Sequence, residues 1–426
     1  IQADFGYIEQ NVNGTHNTPL HRLRSNAYKT FETLPFPTVR NEEWKYTNVM
    51  QLVGKSYSSQ FTASKHQHIA DAGIPGIETN IAVMVNGKLD LQNSMLSLPD
   101  GVVCMDIHQA YSEHQQLINE RLGALVPHDT NAFTASNTAC TDSGLFVLIP
   151  KGVTVDEPLL ILHVIDATEQ NMFVQPRLLV IAGENSELTI ITRTVTHGTN
   201  SSLTNSVIES YAAANARLSM VTLQDDADSA SSITTHNLDQ KRGSVVNLIT
   251  VTLSGQIIRN TVGTRLSESG SEAHMYGLYC VGGTTLVDNH TVMDHAMPHC
   301  HSNELFKGIL ADKSQGVFNG KIFVREDAQK TLAYQSNKNI LLSESANVNT
   351  KPQLEIFADD VKCSHGCTVG QLDEESIFYL RARGLSEQSA KALLLIAFAE
   401  DITSQISNEP LRNFINEKIE QRLGIA

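Results

Sequence analysis

The feature that most constrains this chain is a recurring run of β-favouring residues separated by small polar turns. GLFVLIP, LLILHVI, RLLVIAG, ELTIITRTV, RLSMVTL and VVNLITVTL follow one another with almost no helical signal between them. Turn residues recur just ahead of several runs: Gly183-Glu184-Asn185-Ser186 before Leu188, Asn215-Ala216-Arg217 before Leu218, and Arg242-Gly243-Ser244 before Val246. From Leu188 to Leu218, Val246 and then Ala273 the steps are 30, 28 and 27 positions. Beyond that the echo loosens, with Gly316 before Phe318 and Pro352 before Leu354. A strand-only repeat of this length points to a coiled β-solenoid. The competitor is a β-sandwich, which also uses many short strands. Sandwich strands keep strict alternation, whereas LLILHVI and LLVIAG are nearly continuous, so the periodicity favours the solenoid.

The flanks differ in texture, and the chain divides into an N-terminal helix-rich region (1–142), a β-helix core (143–365) and a C-terminal helical region (366–426). In the first region, residues 19–34 and 106–125 place apolar groups at helical spacing, and IAVMVNGKLDL (81–91) reads as a hairpin turning at Asn86-Gly87. In the last, Asp373-Glu374-Glu375 give an acidic first turn, Arg381, Arg383 and Gly384 end that helix, and Ser386 caps the next. The core of that second helix, ALLLIAFA, is apolar on nearly every side and needs cover. A third helix carries Leu411, Ile415, Ile419 and Leu423 on one face.

Composition removes several function classes. Thirty-one Lys and Arg against 46 Asp and Glu leave a net charge of −15, which argues against binding nucleic acid or an anionic membrane. The longest apolar run, Ala392 to Ala399, falls far short of the ~20 residues of a bilayer span. Six irregularly spaced cysteines do not form a secreted disulfide framework, and no signal-peptide pattern opens the chain. A cytoplasmic, reducing compartment is therefore expected. There is no G-x-x-x-x-G-K-[ST], G-x-S-x-G, H-E-x-x-H or C-x-x-C, so no familiar NTPase, hydrolase or zinc engine.

Two groups of metal-ligating residue types remain. Asp288, His290, Asp294, His295, His299, Cys300 and His301 form one, where alternation along a strand could aim His299 and His301 to one face; chance clustering and turn-capping are the plainer reading. Lys362-Cys363-Ser364-His365-Gly366-Cys367 forms the other. Strand alternation puts Cys363, His365 and Cys367 on one side, and thiolate and imidazole suit iron or an iron–sulfur fragment. A buried thiol and a hydrogen-bonded histidine closing the last turn fit the same spacing equally well.

EEWKYTNV, DNHTVMDH, GVFNGKIFV and above all TKPQLEIFADDVKCSHGCTVGQLDEESIFYLRARGLS resemble the SufB/SufD family of iron–sulfur cluster assembly scaffolds, from the Trp44 region to the end of the chain. The SufD branch fits better, because the SufB branch carries a cysteine after the Phe-Tyr pair and here Phe378-Tyr379 is followed by Leu380. The resemblance implies a right-handed parallel β-helix with helical N- and C-terminal parts. It implies a complex with one SufB-like paralogue, paired β-helix to β-helix, and two copies of the SufC ATPase docked on the C-terminal helices. Carried onto this chain, ATPase docking falls on Leu393, Leu394 and Phe398. His365 matches the family histidine implicated in cluster formation, with Cys363 following by adjacency. Cys367 departs from the pattern, which usually has alanine there; a small apolar replacement is favoured over a new ligand.

The expectation is a non-catalytic scaffold that binds no cofactor stably, holds iron or a nascent cluster transiently with SufB, and receives electrons in the complex from reduced flavin. Two other readings compete. One is a homodimeric β-helix interaction module acting without SufB. The other is a carbohydrate-active β-helix enzyme using Asp288, Asp294 and Lys307, disfavoured by a single Trp, 6% aromatic residues and no signal peptide.

Overall fold

A computed structural model describes residues 5–6, 18–58, 66–141 and 144–424; the expected boundary at 142/143 falls outside them. From Leu145 to Gly370 the chain winds as a parallel β-solenoid. From Arg177–Ala182 onward, successive strands go alternately to two facing sheets, so each strand pairs with the next but one in sequence. One sheet runs from Lys88–Leu89 through Ile81–Val85 and Leu159–Asp166 to Lys362–Gly370. The other runs from Val103–Asp106 through Leu145–Ile149 to Asn347–Ile356.

The repeat seen in the sequence is the pairing register of the first sheet: Leu188 pairs with Leu218, Leu218 with Val246 and Val246 with Ala273. The echo does not loosen after Ala273. It continues through Ser302, Ala333 and Cys363. Phe318 and Leu354, by contrast, belong to the second sheet. Small and polar residues occupy the column at that end, so hydropathy loses it.

Inward side chains of both sheets fill a lumen. Ile161, Ile190, Met220 and Leu248 belong to its apolar core, which continues as Met275, Phe306 and Phe318. Buried amides form ladders within it: Gln224 donates to Asn260 at 2.9 Å and Asn260 to Asn289 at 2.9 Å. Bulky lumen residues need bare neighbours. A Cβ at Gly308 would overlap the Tyr279 ring and the Asn339 amide.

The outer faces are covered too, which is why several strands read as continuous apolar runs. Leu160, Leu162, Val221, Val251 and Leu278 on the outside of the first sheet pack against Leu395, Ile402, Leu411 and Ile415 of the C-terminal helices. On the second sheet, Leu203, Ile233 and Ile257 pack against Trp44, Leu52 and Phe133. The anticipated cap at Ser386 is present, accepting from the Ser389 N–H, and Gly384 takes a φ of +97° after Arg383; Asp373, read as part of an acidic first turn, is instead the N-cap of its helix, and Asn408 caps the third. The hairpin turns at Asn86-Gly87, both left-handed, with Val85 paired to Lys88. The helical stretch 106–125 is split at His114, whose φ and ψ of −127° and 37° leave the helix.

Candidate functional site

The strand Lys362–Gly370 is the last of its sheet. It pairs with Leu332–Leu341, placing Cys363 beside Ala333, His365 beside Gln335, Cys367 beside Asn337 and Val369 beside Asn339. Ala333, Gln335, Asn337 and Asn339 are all buried, so alternation aims Cys363, His365, Cys367 and Val369 over the lumen mouth. Among the described residues no strand lies beyond. Cys363 is half-buried and packs against the core, and burial pushes its thiol above the ordinary range, so it is a neutral thiol at pH 7. His365 and Cys367 are exposed. On one strand, residues two apart stand ~7 Å apart. Among the described residues no three His, Cys, Asp or Glu side chains converge to hold a metal. This edge therefore offers ligands that face outward, without completing a set.

The floor beneath these residues is polar. The Tyr279 hydroxyl donates to Asn339, Asn339 donates to Asn337 at 2.7 Å, and Asn337 reaches the Phe306 carbonyl at 3.2 Å. Beside them Gln335 donates to Glu304 at 2.7 Å. Sequence reading missed this floor. The repeat could have found it, because Glu304, Gln335 and His365 follow at 31 and 30 positions, one per turn.

The other group of candidate ligands does not assemble. Asp288 is buried against the Arg259 guanidinium, with Thr47 Oγ1 donating to it at 2.5 Å and the His290 ring lying 2.9 Å away through Nε2. Burial raises its carboxyl, yet Arg259 and His290 hold it below the ordinary range. Arg259 lies 3.8 Å from the Trp44 ring centre, while Glu43 takes His290 Nδ1 at 3.1 Å and Lys321 at 2.7 Å. The hydrogen bond from His290, helped by Lys321, brings Glu43 down to about 2 against the opposing effect of burial. DNHTVMDH and EEWKYTNV are thus two halves of one anchor that fastens the N-terminal segment to the solenoid. His295 bonds Ser302 at 2.8 Å, and Cys300 is buried beside Ser271. His299 sits in a turn at φ +61°, ahead of the strand that begins at His301, so strand alternation cannot align the two.

The residues of the carbohydrate reading are also apart. Asp294 pairs with Arg325 at 2.8 Å on the second sheet, whereas Lys307, on the first, donates to the Phe398 carbonyl at 2.8 Å and pairs with Asp401.

The helix Glu387–Thr403 turns Leu395, Ala399 and Ile402 onto the solenoid. Its opposite side is bare: Leu393 is 47% exposed, and Phe378 of the preceding helix 74%. Together with Tyr379, Leu380, Leu394 and Ala397 they line an apolar groove whose rim carries Asp373, Glu374 and Glu375. Phe398 is placed differently from Leu393 and Leu394. It packs inward, with the Lys307 ammonium 4.2 Å from its ring centre.

Comparison with known proteins gives two adjoining family matches. Residues 163–398 match the SufBD core domain of the SUF system of iron–sulfur cluster assembly, and residues 5–161 match the SufBD protein N-terminal region. An iron–sulfur cluster assembly SufBD family protein of Synechocystis is 31% identical over 96% of this chain and 93% of its own length. The iron–sulfur cluster assembly protein SufD of Escherichia coli is 29% identical over 91% of this chain and 89% of its own. A chloroplastic protein of Arabidopsis thaliana, ABCI7, is 28% identical over 93% and 84%.

Proposed function

Because the chain belongs to the SufBD family of iron–sulfur cluster assembly proteins, we propose that it is a non-catalytic scaffold subunit, pairing with a SufB-like paralogue and carrying a SufC-like ATPase. The observation that carries the reading is the open solenoid mouth. Lys362–Gly370 leaves one row of backbone N–H and C=O groups without a strand partner among the described residues, an arrangement that favours addition of another chain's strand. Cys363 and His365 stand at that mouth, so ligands from this chain and from SufB can meet there. The His365 imidazole supplies one ligand to iron, which is cargo and not a resident cofactor. Cys363 must lose its proton to join it, and metal binding drives that loss.

The apolar groove between Phe378 and Leu393 is the ATPase surface, with Leu394 at its wall; Phe398 serves the inner side, tying the helix to the solenoid. Lys307 bonds that helix at two points, so movement of the helix bears directly on the strand His301–Leu310. Native mass spectrometry after anaerobic pull-down tests the assembly. One SufB-like chain with two ATPase copies is expected, and recovery of a homodimer alone would overturn the proposal.

A further inference from the structure

Glu304 has no part in the scheme above, yet it sits in the column that ends at His365. It is 1% exposed and its Oε1 has no partner. Gln335 of its own sheet and Thr291 of the facing sheet are the polar groups that act on it, and among the described residues no charged group does. Burial raises its carboxyl to about 7. A carboxyl buried without a cation is costly to a fold and is characteristic of functional sites.

Gln335 links it to the mouth. It is 3% exposed, its Nε2 is committed to Glu304, and its Oε1 has no partner. In register it stands between Glu304 and His365, one interstrand step of ~4.8 Å from each. Gly320 on the facing sheet makes room for it, since a Cβ there would overlap the Gln335 amide. That close approach accounts for the second glycine of GVFNGKIFV.

Building on the reading of His365 as an iron ligand, we propose that Gln335 is a positioning residue that selects the tautomer of His365, with Glu304 setting the direction of its amide. An ionised Glu304 only accepts, so Gln335 turns its N–H₂ toward it and leaves Oε1 for a ring N–H of His365. The ring proton is then fixed on one nitrogen, and the lone pair of the other is free for metal. A protonated Glu304 can donate to Oε1 instead. The amide then reverses and presents N–H₂ to the ring, occupying the lone pair that a metal needs. Cation capture at the mouth is thereby coupled to loss of a proton from Glu304 to solvent.

The test is ¹⁵N–¹H spectroscopy of the full chain labelled at histidine, with the His365 signal assigned by its loss in His365→Ala. Cluster formation by the assembled complex is measured in parallel. In the wild type at pH 8 His365 should hold one tautomer. Gln335→Met should lose that bias and lower cluster formation by about 10- to 100-fold. Glu304→Gln should remove the change of tautomer with pH. Should Gln335→Met and Glu304→Gln both keep the wild-type tautomer ratio and its pH dependence, the positioning role falls, while a cluster-dead His365→Ala keeps the ligand role. A silent His365→Ala overturns the ligand role and with it the purpose assigned to Gln335, whatever the spectra show.

Discussion

The two ends of the solenoid are built from the same repeat and finished in opposite ways. At the N-terminal end both sheets are closed by an antiparallel strand, Lys88–Leu89 on one and Val103–Asp106 on the other. Behind them Arg177 and Glu209 form a buried ion pair, and Glu209 also accepts from the N–H groups of Gly123, Leu125 and Val126 at 2.8 to 3.0 Å. At the C-terminal end, Asn347–Ile356 and Lys362–Gly370 have no such cover among the described residues, and the last covered turn of the first sheet exchanges apolar side chains for amides. A solenoid needs caps because an open turn is a template for more strand. Capping one end and not the other is what the proposed pairing with a second β-helix at the bare end requires.

That contrast can be broken at the closed end. Arg177→Met leaves Glu209 charged and buried without its cation, and should cost about 3–5 kcal/mol of stability. Urea unfolding measures it, and an unmoved midpoint would show that the three backbone N–H groups suffice.

At the open end, Glu304→Gln should stabilise. The folded carboxyl titrates near 7 and the unfolded one near 4.5, so Glu304 favours folding below about pH 4.5, and that contribution is lost as pH rises through 7. The variant's advantage over wild type should therefore grow between pH 4.5 and 7 to about 3 kcal/mol. Melting temperatures across that range would show the growth, and a pH-independent difference would contradict it.

His236 and His295 act in the reverse sense. Burial lowers both to about 4, so stability is complete above pH 6.5 and falls as pH drops from 6.5 toward 4. Replacing His236 by Gln should flatten that part of the acid-denaturation profile.

The exposed groups should barely affect folding. Phe378→Ala with Leu393→Ala should abolish co-purification of the ATPase, with melting changed little. His365→Ala should alter stability by less than about 0.5 kcal/mol and still stop cluster formation in the complex. A cooperative loss of stability in either would mean that the open end is structural after all.

Much of this was legible beforehand. The spacing of Leu188, Leu218 and Val246 identifies the register because in-register parallel strands must repeat once per turn. The helix cap at Ser386 was readable for a local reason, since a side chain satisfies an N–H group two or three residues on. Cys363 and His365 were readable as a pair because strand alternation is local too. The column through Ser302, Ala333 and Cys363 was not, because it carries no apolar signal and both sheets share one period.

The sequence by itself determined the repeat, the strand and helix types, the family motifs and the residues offered at the mouth, all properties of neighbours along the chain. Tertiary structure alone decided that Phe398 faces Lys307 while Leu393 faces solvent, and that Glu43 meets His290. Each depends on which residues far apart in sequence are stacked or packed together, and local pattern does not carry that information.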